Sequence, residues 1–453
     1  MSSRTIAAIA TPVMSGGIGI IRISGDDAAV VADRVFRCVS GKKLSDAAGY
    51  TAHFGNIVCD GDIIDEAVAT VFRAPKSYTG ENVVELSVHG GTLLVKKVLR
   101  LVLDSGAHLA DAGEFTRRAF MNGKLDLTQA ESVMGLISAK SESELRLSSG
   151  TLKGRVSEKI ESIRLLLTEL AANVAVYADY PDEDLPECDP ENFDKMLGEV
   201  IGELGEMLRT YDAGRILREG IETAIVGKPN VGKSTLMNLL SGTARSIVTD
   251  VAGTTRDVIE ETALVGDITL RLADTAGIHD TEDTVEKIGV DLARQRLDTA
   301  ELVLAVFDAS LPLDKNDTEL LSRIKDKKTI VVINKTDIGS QITADDFGDM
   351  RVVTVSAKTG DGYDKLCAAV AEVTHVADLS PDAAVLGSER QRDCAVRALS
   401  AAEFAYQTLH SGISIDAVGV CIDDALSALL ELTGKRVTNE VADEVFRRFC
   451  VGK

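Results

Sequence analysis

Gly227-Lys-Pro-Asn-Val-Gly-Lys-Ser234 lies between the apolar run Thr223-Ala-Ile-Val226 and Thr235-Leu-Met-Asn-Leu-Leu240, so the stretch reads as strand, loop and helix start. Its spacing, GxxxxGK[ST], is that of a phosphate-binding loop. Glycines at 227 and 232 let backbone N–H groups curl around an anion. Lys233 offers charge to the outer phosphates, and the Ser234 hydroxyl suits a Mg²⁺ ion. The segment Asn230, Val231, Gly232, Lys233, Ser234 and Thr235 is therefore expected to cradle a nucleotide.

Three later stretches choose the nucleotide. Asp274, Thr275, Ala276 and Gly277 end the apolar strand Ile268–Ala273, where a carboxylate meets the water shell of the metal and a glycine N–H meets the γ-phosphate. Asn334, Lys335 and Asp337 follow the apolar run Thr329–Ile333. A carboxylate at 337 accepts from guanine N1–H and the 2-amino group, paired donors that adenine lacks. Ser356, Ala357 and Lys358 would close the base pocket with backbone N–H groups. In this order and spacing the motifs predict a Ras-like GTPase module.

Between them lies the polar, glycine-bearing stretch Ser246–Arg256, expected to fold over the nucleotide with Thr249, Asp250, Val251, Ala252, Gly253, Thr254 and Thr255, the last as second Mg²⁺ ligand. The glutamine that positions water in Ras-like enzymes is replaced by Ile278, which neither accepts nor donates. His279, Asp280, Glu282 and Glu286 lie just downstream as candidate replacements. Transition-state charge has two candidate partners: Arg256, or a monovalent cation held by Asn230 and nearby carbonyls. Sequence alone leaves both questions open.

The 453 residues, 45% hydrophobic, are enough for about three domains. No apolar run is long enough to cross a bilayer and the start has no signal-peptide pattern, so a cytoplasmic protein is expected. Seven cysteines without a CxxC pair argue for reduced thiols. A net charge of −22 disfavours wrapping nucleic acid by bulk electrostatics, and 4% aromatics without tryptophan give little for base stacking. Any RNA contact must be local or shared with a partner.

The expected architecture is multidomain, α/β and α. Residues 1–122 read as an α+β domain with strands at Thr5–Ala10, Ile18–Ile23, Ala67–Phe72 and Val83–Val88 and helices at Asp27–Arg37 and Thr92–Asp104. Residues 123–216 read as helical, with two long helices between Leu125 and Ala178 broken near Gly150–Gly154. Residues 217–378 form the GTPase module and 379–453 are helical again. Two small separate bundles would each have a poor core, so the helical stretches are read as one discontinuous domain with the GTPase inserted. Arg22 inside an apolar run and Glu85 between Val84 and Leu86 either face a pocket or sit at a solvent edge.

Further motifs carry a resemblance over nearly the whole chain. Gly16-Gly-Ile-Gly-Ile-Ile-Arg-Ile-Ser-Gly25, Ser77-Tyr-Thr-Gly-Glu81, His89-Gly-Gly91, Gly113-Glu-Phe-Thr116, Asn122-Gly-Lys-Leu-Asp-Leu127 and the tail Cys450-Val-Gly-Lys453 resemble the MnmE (TrmE) family of tRNA-modification GTPases. The resemblance implies that the chain works with the FAD-dependent protein MnmG (GidA). Together they install an aminomethyl-type group on C5 of a tRNA wobble uridine, using 5-formyl- or methylene-tetrahydrofolate. It implies an amino-terminal domain that binds folate and forms homodimers, with Arg22, Glu85, Lys124 and Lys453 at the folate positions and Cys450 near them. It also implies Glu286 as water-orienter and K⁺ in place of an arginine finger, with Asn230, Thr249, Val251 and Thr254 as its ligands. The chain departs from the family pattern at Ala112, His108 and Gln391, none of them a matched ligand position. The rival reading is a regulatory GTPase of ribosome assembly without modification chemistry.

Overall fold

The computed structural model describes residues 4–179, 190–244, 261–272, 297–380, 382–411 and 413–453. Two compact units are distinguished: one of Met1–Met134, Leu152–Ile201 and Asp393–Lys453, the other of Gly135–Thr151 and Gly202–Arg392.

The first unit is built on a seven-stranded sheet. Its strands are β1 (Ile6–Ile9), β2 (Ile18–Ser24), β3 (Phe36–Cys38), β4 (Thr51–Cys59), β5 (Asp62–Phe72), β6 (Val83–His89) and β7 (His108–Leu109), in the spatial order β3-β4-β5-β6-β2-β1-β7. All neighbours are antiparallel except β1 and β7. Strand side chains alternate between faces. Ile21, Ile23, Val84 and Leu86 enter one core beneath helices α1 (Ala28–Val35) and α2 (Thr92–Asp104). Each such burial is worth about 1.5–3 kcal/mol. The same alternation sends Arg22 and Glu85, direct partners in the β2/β6 register, to the opposite face. There Ile6, Ala8, Ala110 and Phe115 form a smaller cluster, Phe115 coming from α3 (Glu114–Met121).

Strand β4 was not expected. His53, Gly55 and Asn56 blur its apolar pattern, but the turn that closes the β4/β5 hairpin is Asp60-Gly61, with both residues at positive φ, 51° and 93°. Asp-Gly is a strong two-residue hairpin signal. The helical stretch after α3 also differs from expectation: three helices, α4 (Leu127–Ser138), α5 (Glu142–Leu152) and α6 (Arg155–Asp179), stand where two were predicted. The extra break has a local cause at Ser141. Its hydroxyl accepts from Glu144 N at 3.2 Å while the Glu144 carboxylate accepts from Lys140 N at 2.7 Å, so the two side chains take up backbone N–H groups where a new helix starts.

Helix α7 (Pro190–Glu219) leads to the second sheet. Its strands are β8 (Ile221–Val226), β9 (Glu261–Val265), β10 (Ile268–Leu272), β11 (Leu302–Asp308), β12 (Lys328–Asn334) and β13 (Arg351–Thr354), in the spatial order β13-β12-β11-β8-β10-β9. All neighbours are parallel except β9 and β10. Helices α8 (Lys233–Ala244), α9 (Lys315–Ile324) and α10 (Tyr363–Val373) accompany it, giving the expected Ras-like layout. Both faces are covered: Leu302, Leu304 and Val306 face one core while Val303, Ala305 and Phe307 face another. Such a double-sided strand reads as a continuous apolar run. The last helices are α11 (Glu389–His410), α12 (Ile415–Thr433) and α13 (Asn439–Arg447). In the first unit α12 packs on α6, and the Phe446 and Phe449 rings, 5.4 Å apart, join Leu127, Ala130 and Val133 in a core.

Candidate functional site

Phosphate-binding geometry arises where β8 ends. Gly227 and Gly232 have φ of 149° and 96°, and Asn230 lies in the left-handed region at 64°. A β-carbon on Gly232 would collide with Asn334 Nδ2, so the loop can approach β12 only with glycine there. The first turn of α8 leaves backbone N–H groups without intrahelical partners. Lys233 Nζ folds back to donate to the carbonyls of Gly227 and Lys228 at 2.8 and 2.6 Å, and burial holds its pKa below the ordinary lysine value.

The expected base loops converge on the same end of the sheet. Buried Asn334 donates from Nδ2 to Val231 O at 2.9 Å and accepts at Oδ1 from Ala357 N at 2.9 Å, tying the phosphate loop to Ser356–Lys358. Asn334 is thus a brace between two loops. Lys335, at φ 64°, donates to Asn230 O at 2.6 Å and to Asp308 at 2.7 Å. Exposed Asp337 accepts from Ser356 Oγ at 2.8 Å, which fixes the carboxylate expected to read guanine.

Two contributors escaped the sequence reading. Asp308 is buried; burial raises its pKa, but hydrogen bonds from Lys335 and Ser310 outweigh that and leave it below the usual carboxylate range. Its signal was a lone acid closing the otherwise apolar β11, at the strand end where α/β folds place ligands. Lys228 pairs with Asp314 at 2.5 Å and Asp317 at 2.6 Å, steadying the loop from its other side. Thr249, Asp250, Val251, Ala252, Gly253, Thr254, Thr255, Asp274, Thr275, Ala276, Gly277 and Glu286 lie outside the described residues.

A second constellation forms in the first unit. Arg22 Nε donates to Glu85 Oε1 at 2.8 Å, and Arg22 Nη1 donates to Gly452 O at 3.3 Å. The guanidinium sits over the rings of Tyr78 and Phe115 at 5.3 and 5.6 Å. The tail reaches this place because Val451 bridges to Ala112 and Gly452 adopts φ 99° against Ile9, where a β-carbon would clash with the Ile9 carbonyl. Burial first, then the Arg22 charge, lower the Lys453 pKa; Glu85 works the other way. Tyr78, whose hydroxyl lies 2.8 Å from Thr116 Oγ1, was not singled out from sequence. Lys124 is exposed and donates to Pro75 O at 3.4 Å. Cys450 is exposed as well.

A Ras-like sheet carrying a phosphate-binding loop, a guanine-reading turn and a closing SAK loop defines a P-loop GTPase. The chain matches the model of the TrmE N-terminus over residues 5–124 and that of the MnmE helical domain over 127–450. It belongs to the MnmE (TrmE) family. It is 41% identical to the tRNA modification GTPase MnmE of Carboxydothermus hydrogenoformans, with all of both chains covered. It is 40% identical to that of Clostridioides difficile, with 99% of each covered. Among solved structures, the G domain of the T. maritima FeoB iron transporter matches 34% of this chain and 98% of its own, at 28% identity and a TM-score of 0.26.

Proposed function

We propose that this chain is the GTP-hydrolysing component of a complex that adds an aminomethyl or carboxymethylaminomethyl group to C5 of the wobble uridine in tRNA. The one-carbon donor is 5-formyl- or methylene-tetrahydrofolate. The observation that carries the proposal is the convergence of Arg22, Glu85 and Gly452–Lys453 in a chain related end to end to proteins named tRNA modification GTPase. A carboxylate such as Glu85 receives the paired N–H donors of a pterin, and Arg22 and Lys453 are donors suited to the oxygens of its ring and one-carbon group. Half-buried Tyr78 supplies flat ring surface beside them, and buried Phe115 packs against the Arg22 guanidinium.

The nucleotide end fits a triphosphate. Lys233 donates to two neutral carbonyls, acceptors that a phosphate outcompetes. Ser234 is exposed at the helix start with its hydroxyl available to Mg²⁺, and Asn230 is exposed beside it for K⁺. Bound, these cations neutralise charge that builds on the phosphates during hydrolysis. Asn334 keeps the phosphate loop and the base loop in register, and Asp337 selects guanine. Glu286 as water-orienter, Thr255 as metal ligand, Cys450 as a thiol near the folate, homodimerisation and pairing with MnmG belong to the same reading and rest on the family relation. The full-length relatives speak against the ribosome-assembly rival.

The test is calorimetry with 5-formyl-tetrahydrofolate on Arg22→Ala and Glu85→Ala. Loss of a charge-assisted contact is expected to weaken folate binding by about 10-fold or more while GTP affinity stays unchanged. Unaltered folate titrations would return both residues to a purely structural role.

A further inference from the structure

A cleft of about 750 Å³ opens in the first unit between Phe120–Gln129 and Thr433–Ala442. Its volume is that of a small-molecule site. Phe120, Leu125, Val437 and Ala442 line its apolar side, continuous with the core around Phe446. Polar groups on the lining are unevenly charged: Lys124, Lys435 and Arg436 face one carboxylate, Asp126, in a chain of net charge −22. Asp126 Oδ1 is already engaged, accepting from Thr128 Oγ1 at 2.6 Å and Gln129 N at 2.9 Å. Lys435 pairs with Glu161 at 2.9 Å. The other two cations meet neutral oxygens: Lys124 the Pro75 carbonyl, Arg436 the Ser427 hydroxyl at 3.0 Å. Among the described residues neither has a carboxylate partner, so the cleft presents positive charge that the protein itself leaves uncompensated.

The cleft and the Arg22–Glu85 constellation share a border. The ring of Tyr78 lies beneath Arg22, Thr79 O accepts from Asn122 Nδ2 at 2.7 Å, and a β-carbon on Gly80 would stand 3.4 Å from Lys124 Cγ. Three consecutive residues thus run from one site to the rim of the other. We propose, resting on the pterin reading above, that the cleft takes the anionic γ-linked glutamate tail of a reduced folate whose pterin lies at Arg22 and Glu85. Such a tail is a flexible chain of carboxylates on methylene stems. The cations Lys124 and Arg436 match its charge and the apolar wall matches its carbon.

The test compares mono- and penta-γ-glutamyl 5-formyl-tetrahydrofolate by calorimetry on the full chain. In the unaltered protein the pentaglutamate is expected to bind about 10-fold more tightly, each exposed cation contributing a few-fold. The ratio should shrink as salt is raised. Arg436→Gln should cut the ratio to about threefold and Arg436→Gln with Lys124→Gln should bring it close to one, whereas Arg436→Lys should keep most of it. Equal affinities in the unaltered protein, or a full advantage that survives the double substitution, would overturn the tail site alone. Failure of the monoglutamate to bind at all would overturn the pterin reading and this inference with it.

Discussion

Both ends of the Asn334 amide are engaged by the protein, one by the phosphate loop and one by the loop that closes over the base. Substituting Asn334→Ala strands a buried carbonyl at Val231 and a buried N–H at Ala357, a cost of about 1–3 kcal/mol for each unpaired group. We predict that Asn334→Ala weakens GDP binding by about 10- to 100-fold, measured by titration with a fluorescent nucleotide. Affinity within twofold of the parent would mean that the two loops hold their places without the brace. Asn334 was legible as a motif member but not as a brace, because the motif's spacing says nothing about which loops its amide bridges. Arg22 and Glu85 were more legible. Their alternation with buried Ile and Val already put each on the face opposite the main core, although the tail that meets Arg22 had no signal in either strand.

At the scale of elements, ends with strong local signals fell where expected. Helix Thr92–Asp104 follows Gly91 directly and carries buried residues at helical spacing. Misreadings came where a short signal was outweighed by composition. The Ser141–Glu144 cap was hidden in a long helix-favouring stretch, and strand β4 was hidden by its polar residues despite the Asp60-Gly61 turn. Replacing the cap tests its weight: Ser141→Ala should lower stability by about 1 kcal/mol in denaturant unfolding, and no change in midpoint would mean α5 is held by packing alone. A second element-scale device ties α6 to the loop after α12. Arg164, then Lys435, hold the Glu161 carboxyl down to about 2 from its ordinary 4.5. With the folded value depressed, the folded state binds fewer protons than the unfolded one between those values. The contribution is complete above about pH 5.5 and is lost as pH falls through 4.5 toward 2. Glu161→Gln should therefore lower Tm slightly at pH 7, solvent screening keeping the effect small, and the gap should narrow on acidification. A gap that widens instead would reverse the assigned direction.

Across the whole molecule the GTPase reading and the cation expectation meet in one measurement. Because Asn230 is exposed at the phosphate loop and the proposed reading puts K⁺ in place of an arginine finger, the intact protein should hydrolyse GTP at least about 10-fold faster in K⁺ than in Na⁺. Equal rates in the two salts would give the role back to Arg256. The GTPase fold was plain in the sequence because its motifs are local and each sits at a strand end. The first unit was less so, since its candidate site joins residues from opposite ends of the chain.

That last trait bears on the order in which the molecule assembles. The hydrogen bond from Arg22 to Gly452 closes a loop of 430 residues, whereas the brace from Asn334 to Val231 closes one of 103. Closure entropy grows with loop length, and distant pairings tend to form late. A refolding chain is therefore expected to recover guanine-nucleotide affinity first and to complete the pocket around Arg22 afterwards, leaving an interval in which young molecules recognise nucleotide alone.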